Sequence, residues 1–374
     1  MNESKGLSFL EYFSSLNDPR VDRTKRHELL DIIAIAICAV ICGMESWVDI
    51  EDFGEAREQW LKKFLKLPNG IPSHDTFSRV FSLLDPKQFQ ECFQNWVSAL
   101  CRATNGEVIA VDGKTLRRSF DKAAEQSPFH LVSAWASTNN LTLGQVLVED
   151  KSNEIVAIPK LLEIIDVTGS IVTIDAIGCQ KAFAEQITNA GGDYIFCLKE
   201  NHPNFHNEVK SFFEKGDFQG RQHSFSETTD GEHGRIEIRK YWSVSAESFE
   251  HQKDWEGIKS IGMVESHREV GEKQSLERRY YISSLEQDSE RFGKAVRSHW
   301  GIENSLHWVL DVIFNEDQCR IREKNAAQNF ALLRRIAISL LKNEKSSKKS
   351  LRRKRNQACL YEDYLLKILQ ANAS

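Results

Sequence analysis

The chain has 374 residues, 41% of them hydrophobic and 28% charged, with a formal net charge of −5. That length allows two or three domains and a sizeable core, and the composition excludes a disordered or low-complexity chain. Net acidity argues mildly against nucleic-acid binding through overall charge, but the charge is segregated. Residues 342–355, KNEKSSKKSLRRKR, are almost wholly cationic and read either as a solvated tail or as an arm that tracks phosphates. Residues 29–43, LLDIIAIAICAVICG, form the longest apolar stretch; Asp31 interrupts it and it is too short for a membrane span, so a buried helix is expected. The start, MNESKGLSFLEYF, lacks the pattern of a signal peptide, which points to a cytoplasmic location. The eight cysteines contain no C-x-x-C pair. Cys38, Cys42, Cys92, Cys101 and Cys197 read as small buried hydrophobes rather than zinc ligands.

Residues 1–103 read as an all-helical domain, with helices expected over 7–16, 28–42, 46–64, 73–84 and 86–103. Pro72 and Ser73 give the fourth a start signal, and Asp85-Pro86 ends it and begins the fifth. The polar side of the fourth helix carries Ser73, His74, Thr76, Ser78 and Arg79. This region fits either a helix-turn-helix that enters a DNA groove or a plain helical bundle.

From residue 104 the periodicity changes. A strand over 107–112 continuing through 114–119 is followed by strands over 130–137 and 141–149, a helix over 155–165, a strand over 170–175, a helix over 180–190 and a strand over 194–199. Three antiparallel strands, then helix, strand, helix and strand, is the order of a ribonuclease H-like mixed sheet, in which the first strand lies beside the fourth. A helix near 205–214 precedes a β-rich insertion over about 220–286, with turn signals at Asp230-Gly231 and Gly271. Residues 289–343 are helical again and complete a catalytic domain over 104–343. Residues 344–374 form a basic tail with a short helix, and no repeat of solenoid length is present.

Two apolar runs end on an aspartate, EVIAVDGKT at Asp112 and SIVTIDAIG at Asp175. An acid on a buried strand is costly unless something pairs with it. Acids brought together repel one another, and the cheapest partner is a hard divalent cation bound through oxygen. The expected strand order brings Asp112 and Asp175 within reach of one cation. A third carboxylate, Glu303, lies in RSHWGIENSLHWVLD, where His299, Glu303, His307 and Asp311 share one helical face. The H-E-x-x-H pattern of zinc hydrolases is absent. The stripe reads as an ion-pair network, or as Glu303 on magnesium with His299 and His307 contacting phosphate or orienting the carboxylate. Asp311, Glu316 and Asp317 are alternative acids. Lys114, Arg117, Arg118 and Lys181 are candidate phosphate contacts, equally readable as surface charges. Gly178 is expected to let the chain turn after the strand. The His202–His206 spacing is set aside because Pro203 lies between them. Trp242, Trp255, Tyr280 and Tyr281 in the insertion read as sheet packing or as stacking platforms for unpaired bases.

The set Asp112, Asp175 and Glu303, within VDGKTLRRS, DAIGCQK and RSHWGIENSLHWVLDVIFNEDQCRIR, resembles the DDE-type insertion-sequence transposases. More narrowly it resembles the branch containing the H-repeat-associated proteins of Rhs elements, and FSSLNDPRVDRTKRHELLDIIAIAICAVICG resembles the N-terminal region of that branch. The resemblance implies a ribonuclease H-like fold with a β-insertion before the catalytic Glu. It also implies two Mg2+ ions (Mn2+ as a substitute) held by Asp112, Asp175 and Glu303, and cleavage and strand transfer at DNA ends by a homodimer. Many transposases of the wider superfamily carry Tyr seven before, Arg four before and Lys seven after the Glu. Here those positions are Val296, His299 and Leu310, so the phosphate-gripping role would fall to His299 or Arg297. Two other readings stay open: a catalytically silent DNA-binding remnant of a mobile element, and a metal-dependent nuclease on the same fold.

Overall fold

A computed structural model of the chain describes residues 7–100, 106–121, 127–149, 153–216, 220, 222–232, 235–271 and 273–371. The first part is helical: α1 (Ser8–Glu11), α2 (Leu29–Cys42), α3 (Trp47–Ala56), α4 (Glu58–Leu61), α5 (His74–Leu83) and α6 (Pro86–Leu100). Helix α2 is apolar on every side, and all its residues except Leu30 are buried, as such a helix requires. Its one acid, Asp31, accepts the Leu67 N–H at 3.0 Å, and burial pushes its carboxyl above the ordinary range. Gly43, at φ 105°, ends the helix in a left-handed turn that returns the Met44 N–H to the Ala39 carbonyl. The helix expected over 46–64 is two helices. A Ser46–Asp49 capping box starts α3, and the chain breaks at Arg57 before α4. In the suggested helix-turn-helix, the His74 ring lies 2.5 Å from Glu51 of α3, so that polar group joins two helices. Cys101 and the expected boundary at 103–104 fall outside the described residues.

Among the described residues nine strands follow in one mixed sheet: β1 (Val108–Thr115), β2 (His130–Ala136), β3 (Leu141–Val148), β4 (Ile171–Ile174), β5 (Asp193–Leu198), β6 (His223–Glu232), β7 (Arg235–Ser245), β8 (Ser260–Val270) and β9 (Lys273–Ser283). Their order across the sheet is β3-β2-β1-β4-β5-β9-β8-β7-β6. Strand β1 runs parallel to β4, with Val111 opposite Ile174, and antiparallel to β2, with Asp112 opposite Ser133. The expected neighbour relation of the first and fourth strands is therefore present. The β-rich segment, expected as an insertion, extends this same sheet, because β9 pairs with β5. Asp230-Gly231 is not a turn: Gly231 sits within β6 opposite Ile236, and the β6–β7 pairing runs on to Glu232 opposite Arg235. Trp255, Tyr280 and Tyr281 are buried in the core.

Helices α7 (Glu154–Ile164), α8 (Lys181–Asn189) and α9 (Pro203–Glu214) connect the strands. Ile109, Val111, Val172 and Ile174 pack into one core with residues of these helices. Strand residues alternate between faces, so Ala110, Asp112, Thr173 and the position after β4, Asp175, belong to the opposite face. That face meets α10 (Ser289–Ile302), which continues through a π-turn (Glu303–His307) into α11 (Trp308–Val312).

Three helices close the fold: α12 (Lys324–Asn343), α13 (Leu351–Leu360) and α14 (Glu362–Leu369). They share one hydrophobic core with α2, α5 and α6. The basic segment is thus neither a solvated tail nor a free arm along its length. Lys354 is buried and donates to the Leu341 carbonyl at 2.9 Å, and Arg355 donates to the carbonyls of Val40 and Ile41 at the end of α2. Lys345, Lys348, Lys349, Arg352 and Arg353 remain exposed. The reason is helix chemistry: the last carbonyls of α2 need donors, and an Arg reaching from α13 supplies them.

Candidate active site

Asp112 lies within β1, and Asp175 follows the last residue of its parallel neighbour β4. Both line an open cleft of roughly 230 Å³, together with Glu303 from the π-turn, His299 and Trp300 from α10, and Lys199 beyond β5. Asp175 is exposed and its Oδ1 accepts the Ile177 N–H at 3.1 Å, which holds the turn after β4. That turn passes Gly178, where a Cβ would lie 2.1 Å from the Ile174 side chain. Close packing, not a positive φ, demands glycine there.

Asp112, Glu303 and His307 each offer one atom, all within 4.8 Å of one another. His307 Nδ1 is 3.5 Å from Asp112 Oδ2 and 3.6 Å from Glu303 Oε2. Burial, and then the neighbouring Glu303, push the Asp112 carboxyl up to about 8, whereas His307 beside Glu303 holds that carboxyl down to about 2. Two carboxylates this close cannot both ionise cheaply, so the pair retains a proton unless a cation takes its place. Among the described residues no Lys or Arg lies within 4.0 Å of the carboxylate oxygens of Asp112, Asp175 or Glu303. The helix that carries Glu303 is not regular at this point. The Trp308 N–H bonds back to the Glu303 carbonyl five residues away, the spacing of a π-turn, a feature often found at functional sites. Lys342 of α12 steadies this turn by donating to the Ser305 carbonyl at 3.0 Å, with its ammonium 4.2 Å from the Trp135 ring centre. Burial lowers the Lys342 ammonium to about 7.

The other expected residues take distinct places. Lys114 is buried, 2.5 Å from Asp311 and 3.4 Å from Asp317, so its ammonium is committed to the protein. Arg117 lies 3.3 Å from Asp317, while Arg118 is exposed. Lys181 pairs with Asp254 on the surface, and Arg297 with Asp230. His299 meets Thr173 Oγ1 at 3.0 Å, and burial lowers its ring pKa. Glu316 is fully buried 3.2 Å from the equally buried Arg335, which also reaches Ser133 beside Asp112. Asp311, Glu316 and Asp317 are therefore matched by protein cations and do not line the cleft. Sequence reasoning missed two cations that do line it, Lys199 and Arg279. The period-two parity of β9 gives a signal for Arg279, which shares its face with Tyr281.

Comparison with known proteins shows the family. The family described as Transposase DDE domain matches residues 103–340, and the family described as DDE_Tnp_1-associated matches residues 10–97. The H repeat-associated protein YhhI of Escherichia coli is 42% identical over 96% of this chain and 97% of its own length. A protein of the dhlA 3′ region of Xanthobacter autotrophicus is 45% identical over 73% of this chain and 93% of its own length. Among solved structures, a piggyBac transposase synaptic complex with hairpin DNA overlaps 98% of this chain and 78% of its own, at 10% identity and a TM-score of 0.42, too loose to carry an argument. With a domain match over most of its length and relatives above 40% identity, the chain belongs to the DDE-domain transposase family.

Proposed function

We propose that the chain is a DNA transposase whose ribonuclease H-like core cleaves and joins DNA strands by metal-dependent phosphoryl transfer. The observation that carries this reading is the cleft itself. An aspartate in β1 and another just past the end of the parallel strand β4 face a helix-borne glutamate, and among the described residues no Lys or Arg comes within 4.0 Å of their carboxylates. The donor set fits hard divalent ions: carboxylate oxygens converge, and one carboxyl carries a raised affinity for positive charge. Asp112, whose carboxyl is raised by burial and by both Glu303 and Asp175, would hold the metal together with those two acids. The chemistry that two Mg2+ ions supply in such a site is activation of an attacking oxygen and stabilisation of the leaving one.

The protein's own groups do the rest. His299 faces Thr173 and Arg297 is drawn to Asp230, which leaves Lys199 on the cleft wall as the cation that would contact a phosphate. Arg279 also lines the cleft, 5.1 Å from the Trp300 ring centre, but donates to Glu277 at 2.8 and 3.2 Å and would have to exchange that partner for a phosphate. In-line attack by water, and then by a DNA 3′-hydroxyl, needs no covalent enzyme intermediate. Two copies of the chain would pair two DNA ends.

The test uses the full chain, DNA bearing the element's inverted ends, and Mg2+. Asp112→Asn and Asp175→Asn are expected to lower strand nicking roughly a thousandfold, about 4 kcal/mol of barrier, while gel-shift binding of the same DNA persists. Joined strand-transfer products would separate a transposase from a simple nuclease. Loss of binding along with cleavage would give the aspartates a structural role and sink the proposal.

A further inference from the structure

We propose that His307 is a metal ligand: its Nδ1, with one oxygen each from Asp112 and Glu303, completes an oxygen–nitrogen site that takes Mn2+ in preference to Mg2+. This rests on reading the cleft as a metal-dependent site and adds the identity of a ligand and of the preferred ion.

The distances carry the argument. At 3.5 and 3.6 Å from two carboxylate oxygens, Nδ1 is too far from either for a normal N–H···O bond. It is nonetheless nearly equidistant from both. Donor atoms held about 2.1 Å from one octahedral ion sit roughly 3 Å apart when adjacent, so Nδ1 is about half an ångström from the spacing at which it would share a cation with either oxygen. The ring is not a bystander at the surface. His307 is 4% exposed, and its Nε2 is buried without a protein partner. The ring's polar neighbours within 4.0 Å among the described residues are the two carboxylate oxygens at Nδ1, so Nδ1 is the nitrogen placed to bind an ion between them, while Nε2 stays turned into the core. Ligation there fixes the remaining proton on Nε2.

The local backbone points the same way. Because Trp308, not His307, bonds back to the Glu303 carbonyl, the helix widens where these two side chains lean over Asp112. The same pattern read as a regular helix places His307 simply one step along a polar stripe. The metal preference follows from ligand chemistry. Mg2+ demands oxygen donors and sheds water reluctantly, whereas Mn2+ has higher affinity for sites that include an imidazole nitrogen.

The full-length protein, stripped of metal, is titrated with Mn2+ and followed by electron paramagnetic resonance, which counts bound and free ion. Pulsed measurements on the bound ion then read coupling to any directly ligated nitrogen. The wild type is expected to show imidazole coupling. His299→Gln keeps that coupling, whereas His307→Gln loses it and weakens Mn2+ binding at least tenfold, with Mg2+ competition changed less than threefold. Mn2+ bound in an Asp112-dependent manner without nitrogen coupling overturns the His307 assignment and leaves the metal-dependent reading intact. Absence of any Asp112-dependent binding overturns both. Should His307→Gln fail to fold, the wild-type and His299→Gln spectra decide alone.

Discussion

The fifteen residues from Glu303 to Asp317 carry acids that are balanced in opposite ways. Asp311, Glu316 and Asp317 meet Lys114, Arg117, Arg334 and Arg335, all within 4.0 Å. Glu303, facing Asp112 and Asp175, has among the described residues only His307 at such a distance. The first group is architecture: its charges cancel inside the protein and lock the end of α11 and the following turn against the sheet. The second is left short of positive charge, which is how a chain reserves a place for a cation. The contrast also decides among the acids that sequence alone left as candidates. Acidity and proximity in sequence do not distinguish Glu303 from Glu316, but their counterions do.

The contrast can be broken by mutation, beginning with the balanced group. Glu316→Gln leaves Arg335 charged and fully buried, and should cost about 3–4 kcal/mol in a denaturant melt. If stability hardly changes, the buried pair is not the lock described here. Lys114→Met removes the cation shared by Asp311 and Asp317, and about 2 kcal/mol is expected; Met keeps the volume, so the loss reports on charge. In the unbalanced group the sign reverses. Asp112→Asn should stabilise the metal-free protein, on the order of 1 kcal/mol at pH 8.

The pH dependence sharpens the same point. The folded value for Asp112, about 8, lies above its ordinary 3.8. Its contribution to stability is therefore fully present below about pH 4 and is lost as pH rises through 8. The thermal midpoint of the metal-free wild type should accordingly fall over that range more steeply than that of Asp112→Asn, and added Mn2+ should remove the difference. A slope that is the same in both proteins would mean that Asp112 is not buried beside Glu303. The smallest expected effect belongs to Lys342→Met, about 1 kcal/mol from the lost bond to the Ser305 carbonyl, with Mn2+ affinity reduced a few-fold as the π-turn loosens.

The sheet was legible in the chain where parity and apolar runs speak unambiguously. Val108–Val111 is a continuous apolar run and Ile171–Ile174 one broken only by Thr173, which marked both as central strands, with the position closing each run at the same rim. Glu303 was legible as the centre of a polar stripe on an amphipathic helix. What escaped has a common cause: it depends on partners far away in sequence. The π-turn has no residue pattern of its own, and Lys342 supports it from α12. Lys114 read as a phosphate contact because Asp311, which buries its charge, is 197 residues downstream. The four added strands read as an insertion because nothing local reveals that β9 pairs with β5. Arg355 read as part of a tail because its acceptors are carbonyls, and carbonyls are invisible in a list of side chains.

That last contact bears on how the protein is made. Helix α2 is apolar all round, yet its final carbonyls are closed by a guanidinium 315 residues later, and Arg57 is likewise held by Glu362. At roughly 5–20 residues per second, a ribosome needs on the order of 15–60 s to supply the missing side chain. Throughout that interval the greasiest segment of the nascent polypeptide lacks its lid. Completion of the first helices is thus coupled to the arrival of α13 and α14.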